Sequence, residues 1–276
     1  MPPKNLSNSI VPAYQSHPDM PTHLEIAESA ARQAGQLLRD NYSSDLAVDE
    51  AAAYDIKLAL DVESQDLITG ILLDAFPDHA IFGEEGIAGN QDSPFQWIVD
   101  PIDGTVNYFY GIPHFCVSIA LRENGTIKTG VIYDPMSDEL WAVEKGQKPT
   151  LNGEEIRTSP RNQLSDAVIT VGFSKSKESL EAGFERFKEM APQVRKVRIL
   201  GSAALAMAYI ACGRLDAYIE EQISLWDIAA GHLLVEAAGG QVNLIPNDIA
   251  PGKESICAFN GKIPLGHVFN PEGAPA

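Results

Sequence analysis

The stretch Trp97-Ile98-Val99-Asp100-Pro101-Ile102-Asp103-Gly104-Thr105-Val106-Asn107 decides how this chain reads. Phe95 to Val99 has the apolar character of a buried strand, and it delivers two carboxylates, Asp100 and Asp103, into a turn held by Pro101. Two carboxylates brought to one point are costly unless a cation neutralises them. The Ile102 carbonyl between them is a further hard oxygen donor. Gly104 and Thr105 offer backbone N–H groups where a helix is expected to start, a favourable place to hold a phosphate.

Upstream, Thr22 and Glu25 have capping-box spacing, and Ile26, Ala30, Ala34, Leu37 and Leu38 continue at helical spacing to about Tyr42. A second helix is expected over Val62 to Phe76, stopped by Pro77. A short extended piece, Ala80 to Phe82, then leads into Gly83-Glu84-Glu85-Gly86 and sets both glutamates at a strand end. Downstream, strands at 115–121, 129–133 and 139–143 read as a meander. The rest alternates: strands at 167–171, 194–199, 216–219 and 241–244, helices at 176–190, 202–211 and 225–238. The expectation is an α/β chain of layered helices and sheets. Residues 1–21 read as a flexible extension, and 22–269 as one catalytic domain with subregions 22–150 and 151–269.

A second carboxylate motif is Ser224-Leu225-Trp226-Asp227. Its spacing puts Asp227 in a first helical turn, where a carboxylate serves equally as a helix cap or as a ligand. Glu84, Asp100, Asp103, Asp227 and the Ile102 carbonyl form an all-oxygen set, which selects Mg²⁺, Mn²⁺ or Ca²⁺ over zinc. The six histidines show no metal spacing, and His79, His114, His232 and His267 are assigned to caps, turns or core positions.

Of 276 residues, 38 are acidic and 20 basic, a formal charge of −18 that disfavours nucleic acid and anionic membranes as partners. A phosphorylated ligand would be repelled too, so handling one calls for bound cations. No apolar run is long enough to span a bilayer and the start lacks a signal pattern, so a cytoplasmic location is expected. Cys116, Cys212 and Cys257 read as reduced core thiols. The three-residue separation of Asp100 and Asp103, well inside the chain, does not fit the Asp-x-Asp-Gly-Thr signature of enzymes that form an aspartyl phosphate.

Together, Gly83-Glu84-Glu85, Trp97 to Asn107 and Trp226 to Gly240 closely resemble the inositol monophosphatase family, lithium-sensitive Mg²⁺-dependent phosphatases, over about residues 22–269. The resemblance implies an alternating αβαβα sandwich, usually a homodimer, with two or three Mg²⁺ ions. It implies metal binding by Glu84, Asp100, the Ile102 carbonyl, Asp103 and Asp227, with Thr105 and Asp61 orienting a water whose pKa the metal lowers. Gly104 and Thr105 would hold the phosphate. Glu220 matches the contact to the substrate's hydroxyl groups, and Gly201, Ser202 and Ala203, with Gly172 to Ser174, match other leaving-group contacts more loosely. One departure stands out: relatives commonly read Asp-x-Val-Thr-x-x-Asp where this chain has Asp55-Ile56-Lys57-Leu58-Ala59-Leu60-Asp61. Asp61 is retained, but no lysine lies between Asp40 and Ile56, where many relatives carry one.

The function expected is hydrolysis of an inositol phosphate or a related polyol or sugar phosphate. Histidinol phosphate, fructose 1,6-bisphosphate and 3′-phosphoadenosine nucleotides are alternative substrates. A non-catalytic phosphate-ligand sensor is the alternative of another class.

Overall fold

A computed structural model describes residues 21–43, 48–52, 55–173, 176–247, 250 and 252–269, with backbone pairing alone for 48–52 and 55–57. The expected extension at 1–21 lies outside these residues but for Pro21. Helix α1 (His23–Asn41) begins on the capping box that the sequence announced: Thr22 Oγ1 accepts from Glu25 N at 3.2 Å, and Glu25 Oε2 accepts from Thr22 N at 2.8 Å. The ribbon β1 (Val48–Ala52) and β2 (Asp55–Leu58) follows, then α2 (Ala59–Ala75). Helix α2 starts three residues before the expected Val62, because Asp61 Oδ2 accepts from Leu58 N at 2.7 Å and caps the earlier turn.

Next come β3 (Ala80–Gly83), β4 (Gly86–Gly89), β5 (Phe95–Asp103), the short α3 (Thr105–Phe109), β6 (Cys116–Glu123), β7 (Thr126–Asp134), β8 (Glu139–Glu144), β9 (Thr150–Leu151) and β10 (Glu154–Glu155). Eight of these strands form one sheet in the order β10-β9-β8-β7-β6-β5-β3-β4, antiparallel except where β3 runs parallel to β5. The second part supplies β11 (Val168–Val171), α4 (Lys177–Met190), β12 (Lys196–Arg198), α5 (Ala203–Ala211), β13 (Ala217–Ile223), α6 (Leu225–Ala237), β14 (Gln241–Pro246) and β15 (Glu254–Phe259). Its strands form a five-stranded sheet ordered β12-β11-β13-β15-β14.

Strand alternation explains the layers. In the large sheet Trp97, Val99, Val117, Ile119, Val131 and Leu140 point to one face and are buried beneath α1 and α2. Ile98, Ala120, Ile132, Trp141 and Val143 point to the other and meet α5 and α6. Those two helices are apolar almost all round because the small sheet covers their far side through Tyr218, Ile256 and Ala258. The small sheet's outer face, with Ile169, Ile219 and Cys257, packs with Met190 at the end of α4. The order is α, β, α, β, α, as expected. Gly130 permits the central contact: a Cβ there would lie 2.8 Å from the Ala230 carbonyl of α6.

Candidate metal centre

The carboxylate motif is built by a bulge. Along β5, Asp100 pairs with Ser118 of β6, but Asp103 pairs with Cys116, so three residues on one strand oppose two on the other. In a regular strand Ile102 would share the face of Ile98 and Asp100. The extra residue instead turns Ile102 into the core under α1 and α2 and leaves Asp103 on the side of Asp100. Pro101, which has no N–H, sits inside this irregularity. Parallel pairing of β3 with β5 then sets Glu84 beside Asp100, with Glu84 N donating to the Val99 carbonyl at 3.1 Å. Gln65 on α2 holds that turn, its Oε1 accepting from Glu85 N at 2.9 Å.

The other wall comes from the central helices. Asp227 lies in the first turn of α6 and accepts from Ser224 N at 2.9 Å. Oxygens of Asp100, Asp103 and Asp227 lie within 4.8 Å of one another. Asp103 faces the start of α5: Oδ2 accepts from Ser202 Oγ at 2.5 Å and Ala204 N at 2.7 Å, and Oδ1 from Ala203 N at 3.3 Å. Asp100 Oδ1 accepts from Ile102 N at 3.0 Å, whereas Asp100 Oδ2 is buried without a donor. The Thr105 hydroxyl stands 2.9 Å from the Ile102 carbonyl and 3.4 Å from Asp61 Oδ1. Asn107 ties α3 to the second half, its Nδ2 donating to the carbonyls of His114 at 2.8 Å and Leu200 at 2.9 Å.

Glu84, Asp100, Ile102, Asp103, Thr105, Ser202 and Asp227 line a cavity of about 440 Å³ that also includes Gly104, Gly172, Phe173, Gly201, Tyr218, Glu220 and Lys253. Gathering acids there makes ionisation costly. Withdrawal from water pushes Glu84 up to about 8, with Asp227 and then Asp61 adding to it. Burial and then Asp227 push Asp103 up to about 7, against the pull of Ser202, Ala204 and Ala203. Burial raises Asp100 well above the carboxylate range, helped by Glu84, Asp103 and Asp227, and burial raises Asp227 as well. Glu220 is pushed up to about 8 by burial, opposed by the Tyr218 hydroxyl, which donates to its Oε2 at 2.5 Å. The unpartnered Asp100 oxygen and the all-oxygen donor set fit a hard divalent cation. Among the described residues no histidine lines the cavity.

Among the described residues, each site residue named from the sequence lines one cavity, save that Asp61 reaches it through Thr105. Ser202 and Ala203 spend their polar atoms on Asp103, a use the sequence reading did not foresee. Ala204, Gln65, Tyr218 and Lys253 were not singled out at all. Tyr218 had a local signal, lying two residues before Glu220 on the same strand face. The loosely matched Ser174 and the side chain of Lys57 lie outside what is described.

Residues 19–261 match the inositol monophosphatase family, and the chain belongs to it. Among curated relatives, a protein from Xylella fastidiosa named Nus factor SuhB is 40% identical over 255 residues, which span 89% of this chain and 92% of that protein. Among solved structures, the extragenic suppressor protein SuhB from Bartonella henselae is 35% identical with a TM-score of 0.79, covering 86% of this chain and 93% of that one. An inositol monophosphatase from Anabaena is 38% identical with a TM-score of 0.74, covering 87% and 90%. No helix among the described residues is long and apolar enough to cross a membrane.

Proposed function

We propose that this protein hydrolyses a small phosphate monoester, an inositol phosphate or a related polyol or sugar phosphate, with Mg²⁺ as cofactor. The observation that carries the reading is the meeting of Asp100, Asp103 and Asp227 within 4.8 Å, one oxygen of Asp100 lacking any donor, beside the Thr105–Asp61 pair. Glu84, Asp100, the Ile102 carbonyl, Asp103 and Asp227 are the residues that would hold the metal ions. Bound Mg²⁺ would neutralise phosphate charge and lower the pKa of a nearby water. The protein's own part is positioning. Asp61, anchored by Leu58 N, orients the Thr105 hydroxyl, and that hydroxyl aligns a water with the phosphorus. Gly104 and Thr105 present N–H groups to the phosphate. Glu220, fixed by Tyr218, accepts from hydroxyls of the leaving group, and Gly172 leaves the room it occupies. The name of the Anabaena relative supports this reading.

The curated name Nus factor SuhB favours a second reading, a factor that keeps the fold without turnover. Retention of the metal-set carboxylates together with Thr105 and Asp61 supports hydrolysis. The deciding experiment measures phosphate release with and without Mg²⁺ across inositol 1-phosphate, histidinol phosphate, fructose 1,6-bisphosphate and 3′-phosphoadenosine 5′-phosphate, then repeats the best substrate with Li⁺. Mg²⁺-dependent release inhibited by Li⁺ is expected. Silence across the panel would favour the factor reading. We carry the homodimer forward as part of the same proposal, checked by light scattering.

A further inference from the structure

Five carboxylates line the cavity, and among the described residues that line it the one cation is Lys253. Four of those carboxylates, Glu84, Asp100, Asp103 and Asp227, make up the metal end. Glu220 and Lys253 come from the small sheet, where β13 and β15 run antiparallel: Glu220 pairs with Ile256 and Ile223 with Glu254, so Lys253 enters the sheet just beyond Ile223. Its loop is fastened to that strand. Lys253 N donates to the Ala250 carbonyl at 3.0 Å, and Asn247 N donates to the Lys253 carbonyl at 3.0 Å. The Asn247 side chain bonds the Glu221 carbonyl of β13 and also Ser255 Oγ at 3.2 Å.

The ammonium itself is under-used. Lys253 Nζ donates to Ser224 Oγ and lies 5.5 Å from the centre of the Trp226 ring. Among the described residues no carboxylate comes within 4.0 Å of it. An ammonium carries three N–H donors, and among the described residues Ser224 is its one hydrogen-bond partner. The wall is thus split: Glu220 accepts hydroxyls, whereas Lys253 offers a point charge suited to an anion.

We propose that Lys253 is a specificity-determining residue, whose ammonium binds an anionic substituent on the leaving group and directs the cavity towards phosphate monoesters that carry a second negative group. The substituent is a second phosphate or a carboxylate. The inference rests on the hydrolase reading above. If Lys253 served only to balance the charge of Glu220 and Asp227, its loss would weaken every substrate alike.

The test compares wild type, Lys253→Met and Lys253→Arg, all in full-length protein with Mg²⁺ and checked for folding by thermal melting. The substrates are inositol 1-phosphate, fructose 1,6-bisphosphate and 6-phosphogluconate, the last two separating phosphate from carboxylate as the second group. Lys253→Met is expected to lower kcat/KM for at least one doubly anionic ester about tenfold more than for inositol 1-phosphate, mainly through KM. Lys253→Arg is expected to recover most of that loss. Equal losses on all three substrates overturn the proposal. If wild type turns over none of them, the reading as an inositol- or sugar-phosphate hydrolase fails on its own account. Titration calorimetry of the same esters then decides the role of Lys253: selective weakening of the doubly anionic ligands in Lys253→Met upholds it, and unchanged relative affinities overturn it.

Discussion

Asp103→Asn probes the centre through stability as well as turnover. In the metal-free protein the Asp103 carboxyl is 7% exposed and has its pKa pushed up to about 7 from an ordinary 3.8. Between those values the folded state holds a proton that the unfolded state has released. Stability therefore falls as pH rises through that window, and the full cost is present above about pH 7. At 1.36 kcal/mol per pKa unit this cost is about 4 kcal/mol for Asp103 alone. Asparagine removes the charge. Its carbonyl can still accept from Ser202 Oγ and Ala204 N, while its amide replaces the oxygen that accepts the longer 3.3 Å bond from Ala203 N. The lost charge-assisted bonding offsets roughly 2 kcal/mol of the gain. The variant should then be more stable than wild type at pH 8 without metal by about 2 kcal/mol, a rise in Tm of several degrees at this chain length. At pH 5 the two proteins should be close. Mg²⁺ should raise the Tm of wild type more than that of the variant, and turnover should fall at least a hundredfold. Thermal melts of both proteins at pH 5 and 8, with Mg²⁺ or EDTA, read all of this. His79, held down to about 4 by burial, titrates with the opposite sign, but it is common to both proteins and cancels in the difference. An Asn variant whose metal-free Tm tracked wild type across that range would refute the view that Asp103 is held in an unfavourable charge state.

The remaining predictions address single contacts. Thr105→Ala should lower kcat at least about a hundredfold in steady-state assays with little change in KM, and Thr105→Ser should restore most of it, because the hydroxyl beside Asp61 does the positioning. Gly172→Ala should raise KM about tenfold in the same assays, since its Cβ would fall 1.7 Å from Glu220 Oε2 and must displace that carboxylate from Tyr218. Asp216→Ala should cost about 3–5 kcal/mol by urea denaturation, because Asp216 is fully buried and receives Arg161 Nε at 2.8 Å together with Ser159 and Val168 N. Replacing Arg161 by leucine in that background should recover part of the loss.

The layered fold was legible because its signals are local. Thr22 with Glu25 marked the start of α1, and the near-continuous apolar runs of β5 to β8 match strands that helices cover on both faces. Pairing between distant strands carries no such local mark. Strand β5 was read as ending at Val99 but continues to Asp103, since its last residues are held by Ser118 and Cys116 across a bulge. Strand β15 went unread although it lies between β13 and β14. Its run Ser255-Ile256-Cys257-Ala258-Phe259 follows the Gly252-Lys253 turn and shows no polar alternation. With β15 unread, nothing brought Lys253 into the cavity that Glu220 lines.

The site was legible as a set of acids, and what was not legible is how the protein tolerates them before a metal arrives. That answer lies in the central layer. Helix α5 aims its first N–H groups at Asp103, and α6 begins at Ser224, whose N–H bonds Asp227. Both helices thus turn their positive ends towards the cluster, which favours carboxylates there. The two contacts join residues about a hundred positions apart in one case and three in the other. The short-range one was visible as the capping-box spacing of Ser224 and Asp227, and the long-range one was not visible at all. The compensation is incomplete, because Asp100 Oδ2 still has no donor and the pKa of each metal-end carboxylate is still raised. On the proposed reading, a centre held short of neutrality in this way would keep a standing affinity for divalent cations, since the free energy stored in crowding the acids would be returned when a cation binds between them.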